Sequence, residues 1–255
     1  MVSVIQALIL SIVQGITEWL PISSSGHLAI FQNIFGFQNL PFDVFLHFAS
    51  ILAVFVIFWK DIVKLFNFKD RKNLKYLGLL AVALVPAAIV GLLFKSQIAS
   101  FFSSELYLGI FFMASGGIVY STKFAKPRPE KEKPSWLDSI FIGLMQALAI
   151  LPGVSRSGST ISGGMFRGLK KEEAVKFSFL LAVPVILGAS ILEAKDLVLQ
   201  NMSYVLLLAS FVVTFLVSLI AIKILLRIIK GDRFYLFGLY NFFVGLIIFC
   251  WSIWR

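Results

Sequence analysis

Two short polar runs carry most of the chemistry that this sequence offers. The first is Leu20-Pro21-Ile22-Ser23-Ser24-Ser25-Gly26-His27, preceded by Gln14 and Glu18. The second is Leu151-Pro152-Gly153-Val154-Ser155-Arg156-Ser157-Gly158-Ser159-Thr160. Gln14 and Glu18 are four residues apart, so a helix sets both on one face with their oxygens at one locus. Glu18 is suited to hold a hard divalent cation or to act as a base. Gln14 offers only a neutral oxygen or a hydrogen bond. Ser23, Ser24 and Ser25 are candidate nucleophiles. His27, three residues beyond Ser24, is placed to activate a hydroxyl or to protonate a leaving group. A lone histidine in apolar surroundings is more often packing, but the neighbouring acid and serines favour a chemical role. His47, the second histidine, either lines the same cavity or bonds a neighbouring helix.

The second run reads as an anion clamp. Arg156 presents a planar fork of donors matched to phosphate or carboxylate. Ser155, Ser157, Ser159 and Thr160 add hydroxyls, while Gly153, Gly158, Gly163 and Gly164 allow close backbone approach. A helix is expected to start near Gly158, where free N–H groups and the helix dipole favour an anion. The bland alternative is a tightly packed helix break, which leaves Arg156 without a partner.

Such runs are costly in apolar surroundings, and the rest of the chain is apolar. Of 255 residues, 59% are hydrophobic and 14% charged, against about 25% charged in soluble domains. The composition is that of a polytopic helical membrane protein. The net charge of +10 does not indicate nucleic acid, because the basic residues lie mainly in short loops between apolar runs. The single cysteine, Cys250, excludes a disulfide within the chain and is expected in core packing. No basic segment precedes the first apolar run, so a cleaved leader is not expected.

Taken in order, residues 1–20 and 27–36 predict a helix–loop–helix that dips into the membrane and returns, since neither piece supplies the ~20 apolar residues of a span. Spans are expected at 42–59, 74–94 and 106–122. Residues 123–136, rich in Lys, Glu and Pro, predict a solvated, non-helical linker. The pattern then recurs: a helix at 137–151, the Ser/Gly run, a short helix at 161–169, and spans near 177–192, 204–222 and 234–254. At an offset of 132, Gln14 falls on Gln146, Ser23 on Ser155, Ser25 on Ser157, Gly26 on Gly158 and Gly36 on Gly168. Residues 1–122 and 137–255 thus read as an internal duplication.

Loop charge gives the sense of the repeat. Residues 60–75 hold six Lys/Arg, whereas their equivalents near 192–207 hold only Lys195. Conversely, 95–105 holds one, Lys95, and its equivalent near 227–237 holds Arg227, Lys230 and Arg233. Opposite bias in equivalent loops predicts halves of inverted topology. The expected fold is therefore all-α, with six transmembrane helices and two re-entrant hairpins whose loops meet near the midplane. Loops 60–75, 123–136, 167–176 and 223–233 are placed in the cytoplasm, and both termini outside. Lys176 is read as an interfacial residue of the cytoplasmic side.

An anion clamp, an acid, hydroxyls and a histidine point to phosphoryl chemistry on a lipid phosphate. The sequence has no GxxxxGK[ST] loop for a nucleotide. The rival is a lipid-phosphate flippase or transporter, because broken helices in inverted repeats are typical of transporters. The Glu18/Ser24/His27 set exceeds what holding an anion requires. Ser24 attack assisted by His27, through a phosphoserine, and direct water attack with Glu18 or His27 as base both remain open.

Gln14-Gly15-Ile16-Thr17-Glu18 through Ser23-Ser24-Ser25-Gly26-His27 resembles the (E/Q)xxxE and SSSGH segment of undecaprenyl-diphosphate phosphatases, the bacitracin-resistance family. Pro152-Gly153-Val154-Ser155-Arg156-Ser157-Gly158-Ser159-Thr160 is similar to its PGxSRSxxT signature. The resemblance continues through Ile161–Met165 and Phe177–Pro184. It implies a multi-pass plasma-membrane hydrolase that converts undecaprenyl diphosphate to undecaprenyl phosphate and inorganic phosphate, recycling the carrier for cell-wall synthesis. It implies a site opening to the outer face, dependence on Mg2+ or Ca2+ held by Glu18 and Gln14, and bacitracin acting by sequestering the polyprenyl diphosphate. A homodimer is compatible with it. Glu18, Ser24, His27, Ser155 and Arg156 fall on the family's functional positions, with Ser23, Ser25, Gly26, Ser157, Gly158 and Thr160 around the phosphates. The chain departs from the pattern at Gln14, where Glu is frequent, and at Asn241, where Arg often follows the tyrosine.

Overall fold

The computed structural model describes residues 3–102, 104–125, 131–198 and 202–254. Helix α1 (Val4–Thr17) starts at a capping box in which Ser3 and Gln6 satisfy each other's backbone N–H. It stops before Pro21, which cannot donate into a continuing helix. Helix α2 (Ser24–Phe35) begins at Ser23, whose Oγ accepts from Gly26 N at 3.3 Å, and ends at Gly36 in the left-handed region, φ 71°. Ser23 itself has φ 68°, a conformation that non-glycine residues adopt only where the surroundings enforce it. The helix therefore starts three residues earlier than the expected 27, and Ser24, Ser25 and Gly26 form its first turn.

Five more helices and a 3-10 turn follow among the described residues up to 125. They are α3 (Leu40–Ile57), α4 (Trp59–Leu65), α5 (Arg71–Leu93), α6 (Lys95–Phe102), α7 (Glu105–Tyr120) and the turn Ser121–Phe124. The second half holds α8 (Trp136–Leu148), α9 (Arg156–Phe166), α10 (Lys171–Val198), α11 (Tyr204–Lys230) and α12 (Leu236–Trp254). Helix α9 starts at Arg156 rather than Gly158, because Ser155 Oγ caps it by accepting from Gly158 N at 3.0 Å. Helix α10 extends forward to Lys171, where Glu172 and Glu173 complement the dipole of its first turn.

Among the described residues, five helices are long and apolar enough to cross a membrane: α3, α5, Lys171–Leu192 of α10, α11 and α12. A sixth is reached only if α6 and α7, bent by 101° to each other, count as one span. Helix α7 alone has 16 residues, short of the ~20 that a span needs. No strand occurs among the described residues, and the chain is an all-helical, multi-pass membrane protein.

Helix pairing crosses between the halves. Helix α1 lies on α11 and α5 on α8; α3 packs on α10 and α7 on α12. The α7–α12 contact is close because glycines face backbone: a Cβ at Gly238 would lie 2.4 Å from Tyr120 N, and one at Gly109 2.7 Å from Phe249 N. Only Gly238, Asn241 and Gly245 of α12 are buried in that contact. Cys250, expected in the core, is accordingly exposed on the outward side of α12. The main core gathers Trp19, Ile51, Phe177, Phe179 and Leu181 around the two polar loops.

The expected linker 123–136 is only partly open to comparison, since 126–130 lie outside the described residues. Its ends are not free. Lys123 and Phe124 belong to the 3-10 turn, and Lys131 forms a backbone bridge with Leu169. Lys131 Nζ also meets the buried Asp138 at 3.0 Å, opposite Arg167 Nε at 2.8 Å. Burial pushes the Asp138 carboxyl up, but hydrogen bonds from Ser135, Lys131 and Arg167 outweigh it and hold the group at about 2.

Candidate active site

Glu18 closes α1 and is buried, 6% exposed. A carboxylate in such surroundings needs donors, and this one has three, with a histidine beside them. Its Oε1 accepts from Arg156 Nη2 at 2.5 Å. Its Oε2 accepts from Ser24 Oγ at 2.6 Å and Gln14 Nε2 at 3.1 Å, and His47 Nε2 lies at 3.2 Å. Two helix starts thus point at one acid: Ser24 is the first residue of α2 and Arg156 the first of α9. The guanidinium also lies over the Trp19 ring at 5.4 Å, and Trp19 is held edge-on by Phe179. Arg156 and His47 keep side-chain exposures of 19% and 24%, so the cluster is reachable from one side.

Gln14 meets Glu18, but through its N–H rather than its oxygen. Gln14 Oε1 is left buried with no partner. His47, undecided from sequence, belongs to the cluster: its Nδ1–H donates to Asp43 O at 2.8 Å, which aims Nε2 at Glu18. The sequence contained no signal that separates a histidine facing this cavity from one facing a neighbouring helix.

His27 is directed elsewhere. Its Nδ1–H donates to Ser23 O at 2.8 Å, and its Nε2 accepts from Tyr240 OH at 2.8 Å. The ring stacks on Tyr240 and meets the edge of Phe112. Both ring nitrogens are committed, so the proton of Ser24 faces Glu18 and not His27. The tautomer follows from the partners, since a carbonyl can only accept.

Most hydroxyls of the second loop build the site rather than line it. Ser155 N donates to Ser115 Oγ at 3.0 Å, Ser157 Oγ donates to Leu20 O at 3.0 Å, and Thr160 Oγ1 bonds Arg156 O at 2.8 Å and Ser178 Oγ at 2.6 Å. Gly26 and Gly158 serve close packing: a Cβ would lie 2.4 Å from the Phe112 ring at the first and 2.9 Å from Val119 at the second. Ser25 is half-buried. Asn241, the C-terminal departure, donates to Pro21 O at 2.8 Å and lies 3.4 Å from Ser115 Oγ, so one amide steadies both loops. Ser115 and Ser178 had no distinguishing sequence signal.

The residues do not fit a resident divalent ion. Glu18 is the one carboxylate, both its oxygens are taken by donors, and Gln14 adds a single neutral oxygen. Among the described residues no group of three or more His, Cys, Asp or Glu is placed to hold a metal. Mg2+ sites ordinarily supply one or two free carboxylates beside substrate phosphates.

Fold and site together define a multi-pass helical membrane protein in which a carboxylate, a serine and an arginine converge between two capped loops. The chain belongs to the bacitracin resistance protein BacA family, whose model matches residues 7–247. It is 39% identical to a protein of Alkaliphilus metalliredigens over 97% of this chain and 98% of that one. It is 42% identical to a protein of Carboxydothermus hydrogenoformans over 95% of each. A Methanococcus vannielii protein is 40% identical, over 94% of this chain and 97% of its own. All three are named undecaprenyl-diphosphatase.

Proposed function

We infer that the chain hydrolyses undecaprenyl diphosphate to undecaprenyl phosphate and inorganic phosphate, recycling the lipid carrier of cell-wall synthesis. The observation that carries the reading is the Ser24–Glu18–Arg156 chain, a nucleophile donating to a base that is paired with a phosphate-binding guanidinium. In the proposed reaction the terminal phosphate takes Arg156 and the free N–H groups at the start of α9. Glu18 removes the Ser24 proton as Oγ bonds to the terminal phosphorus and the bridging P–O bond breaks. Glu18 passes that proton to the departing phosphate oxygen, and undecaprenyl phosphate leaves. Water then attacks the phosphoserine, Glu18 taking a proton from the water and returning it to Ser24 Oγ as the serine P–O bond breaks and inorganic phosphate leaves. His27, held by Tyr240, keeps the first turn of α2 in place.

A divalent cation is not assigned to the protein's own ligands; Mg2+ or Ca2+ enters the proposal only as a counter-ion of the diphosphate. We read α6 with α7 as the sixth span and the halves 1–122 and 137–255 as an inverted repeat, a reading supported by the crossed pairing of α1 with α11 and α5 with α8. With the basic loops in the cytoplasm, the site opens outward, where the spent carrier is released. Bacitracin then acts by sequestering the diphosphate lipid.

The test is phosphate release by detergent-purified protein from a prenyl diphosphate, with Ser24→Ala alongside. Release by the unmodified chain and phosphate trapped on Ser24 are expected. Near-normal turnover of Ser24→Ala removes the covalent route.

A further inference from the structure

A second polar cleft, of about 190 Å³, shares no lining residue with the Glu18 site. Four separate elements supply it. Helix α4 contributes Asp61 and Lys64, the first turns of α5 contribute Lys72 and Tyr76, the strap before α8 contributes Lys133, and α10 contributes Lys176. The strap is placed by structure and not by chance, because Lys131 is bridged to Leu169 and paired with Asp138 two residues before Lys133.

The charges in this cleft do not balance. Lys176 is satisfied, with Glu173 at 2.6 Å and Asp61 at 3.8 Å, and Tyr76 OH donates to the other oxygen of Glu173 at 2.8 Å. The ammonium groups of Lys64, Lys72 and Lys133 have no hydrogen bond or ion pair among the described residues. A solvated basic loop would splay such groups apart; here the fold turns three of them into one concavity. Like charges gathered in a recess focus a positive potential. Waters take ~30 Å³ each, so the recess has room for a small oxyanion and part of its hydration. Leu65 and Leu180 complete the wall, giving the recess an apolar edge.

We propose that this cleft is a second phosphate-binding site, one that takes a tetrahedral phosphate group, either free inorganic phosphate or the headgroup of a prenyl phosphate. Lysine binds phosphate as a point charge with three donors, which suits a tetrahedral anion approached from several sides. The proposal is independent of the hydrolytic reading, since it concerns binding alone.

Arg156→Ala protein, impaired at the first site, is titrated by calorimetry with inorganic phosphate and, in nanodiscs, with a prenyl phosphate. Retained binding is expected, with Kd raised at least tenfold by adding Lys64→Gln, Lys72→Gln and Lys133→Gln together. Binding of inorganic phosphate assigns the site to the free anion; binding of the prenyl phosphate alone assigns it to the lipid headgroup. Absence of binding by both ligands, or a Kd unmoved by the lysine substitutions, overturns the proposal. Folding of the triple variant is read from its melting temperature with Arg156 intact, and the single Lys133→Gln protein, expected to show a smaller rise in Kd, is titrated in parallel.

Discussion

The two hairpins are built alike and put to different uses. Ser23 and Ser155, at the same register in the two halves, each cap a helix by accepting from the N–H three residues on. The next residues, Ser24 and Arg156, occupy equivalent helix starts and both reach Glu18. At the offset of 132, however, the position matching Glu18 is Ile150. Gln14 accordingly donates to an acid, while its counterpart Gln146 is buried with neither amide atom bonded. What the two loops share is a capped helix start aimed at one point. The carboxylate that only the first loop carries brings those two starts together.

If one carboxylate makes the difference, its removal should have the largest effect. Glu18→Gln is expected to lower phosphate release by about 10³-fold, the range for losing a base and a charge partner together, measured as kcat on a prenyl diphosphate. Retention of rate would move the chemistry away from the first hairpin. The second hairpin's own acid should act on stability instead. Asp138→Asn deprives Lys131 and Arg167 of their partner, and because both cations are partly exposed the loss is about 1–2 kcal/mol, read as a lower melting temperature with phosphate release per folded molecule unchanged. The same pair sets an acid limit. The Asp138 carboxyl sits at about 2 in the folded chain against an ordinary 3.8, so its stabilisation is complete above that ordinary value and fades as pH falls towards 2. Asp138→Asn should flatten this part of the stability profile.

Smaller effects sharpen the contrast. Tyr240→Phe leaves the packing on His27 but removes the donor to its Nε2. A fall in kcat of about fivefold, equivalent to ~1 kcal/mol, is expected, because His27 would be positioned less firmly. A loss as deep as that of Glu18→Gln would instead put His27 in direct contact with the reaction. Ser157→Ala removes one cross-loop bond, to Leu20 O, and should cost ~1 kcal/mol or less in stability with kcat nearly unchanged.

Much of this was legible beforehand. Apolar runs interrupted by Pro and Ser/Gly located the helices, and the pairing of an acid and serines with a remote arginine named residues that the fold brings together. The resemblance marked Tyr240-Asn241 as a departure without giving it a role. Legibility failed where side chains had to choose partners. His27 carries the same three-residue spacing from Ser24 whether it faces that serine or Tyr240, and His47 reads the same on either face of α3. The hydroxyls of Ser155, Ser157 and Thr160 look like phosphate ligands until the neighbours that consume them, Gly158 N, Leu20 O and Ser178 Oγ, are in place.

Sequence by itself determined that this chain is a helical membrane protein, that its polar groups gather in two related loops, and that Glu18, Ser24, His27 and Arg156 are the candidates for phosphoryl chemistry. Those properties follow from composition, hydropathy and short-range spacing, which act along the chain. The tertiary structure alone decided that Glu18, and not His27, receives the Ser24 hydrogen bond, that most second-loop hydroxyls are scaffold, and that lysines of three separate elements share one recess. These depend on side chains far apart along the chain, 138 residues in the Glu18–Arg156 pair and 213 in the His27–Tyr240 pair. No local rule relates such positions; only the packing of the helices on one another does.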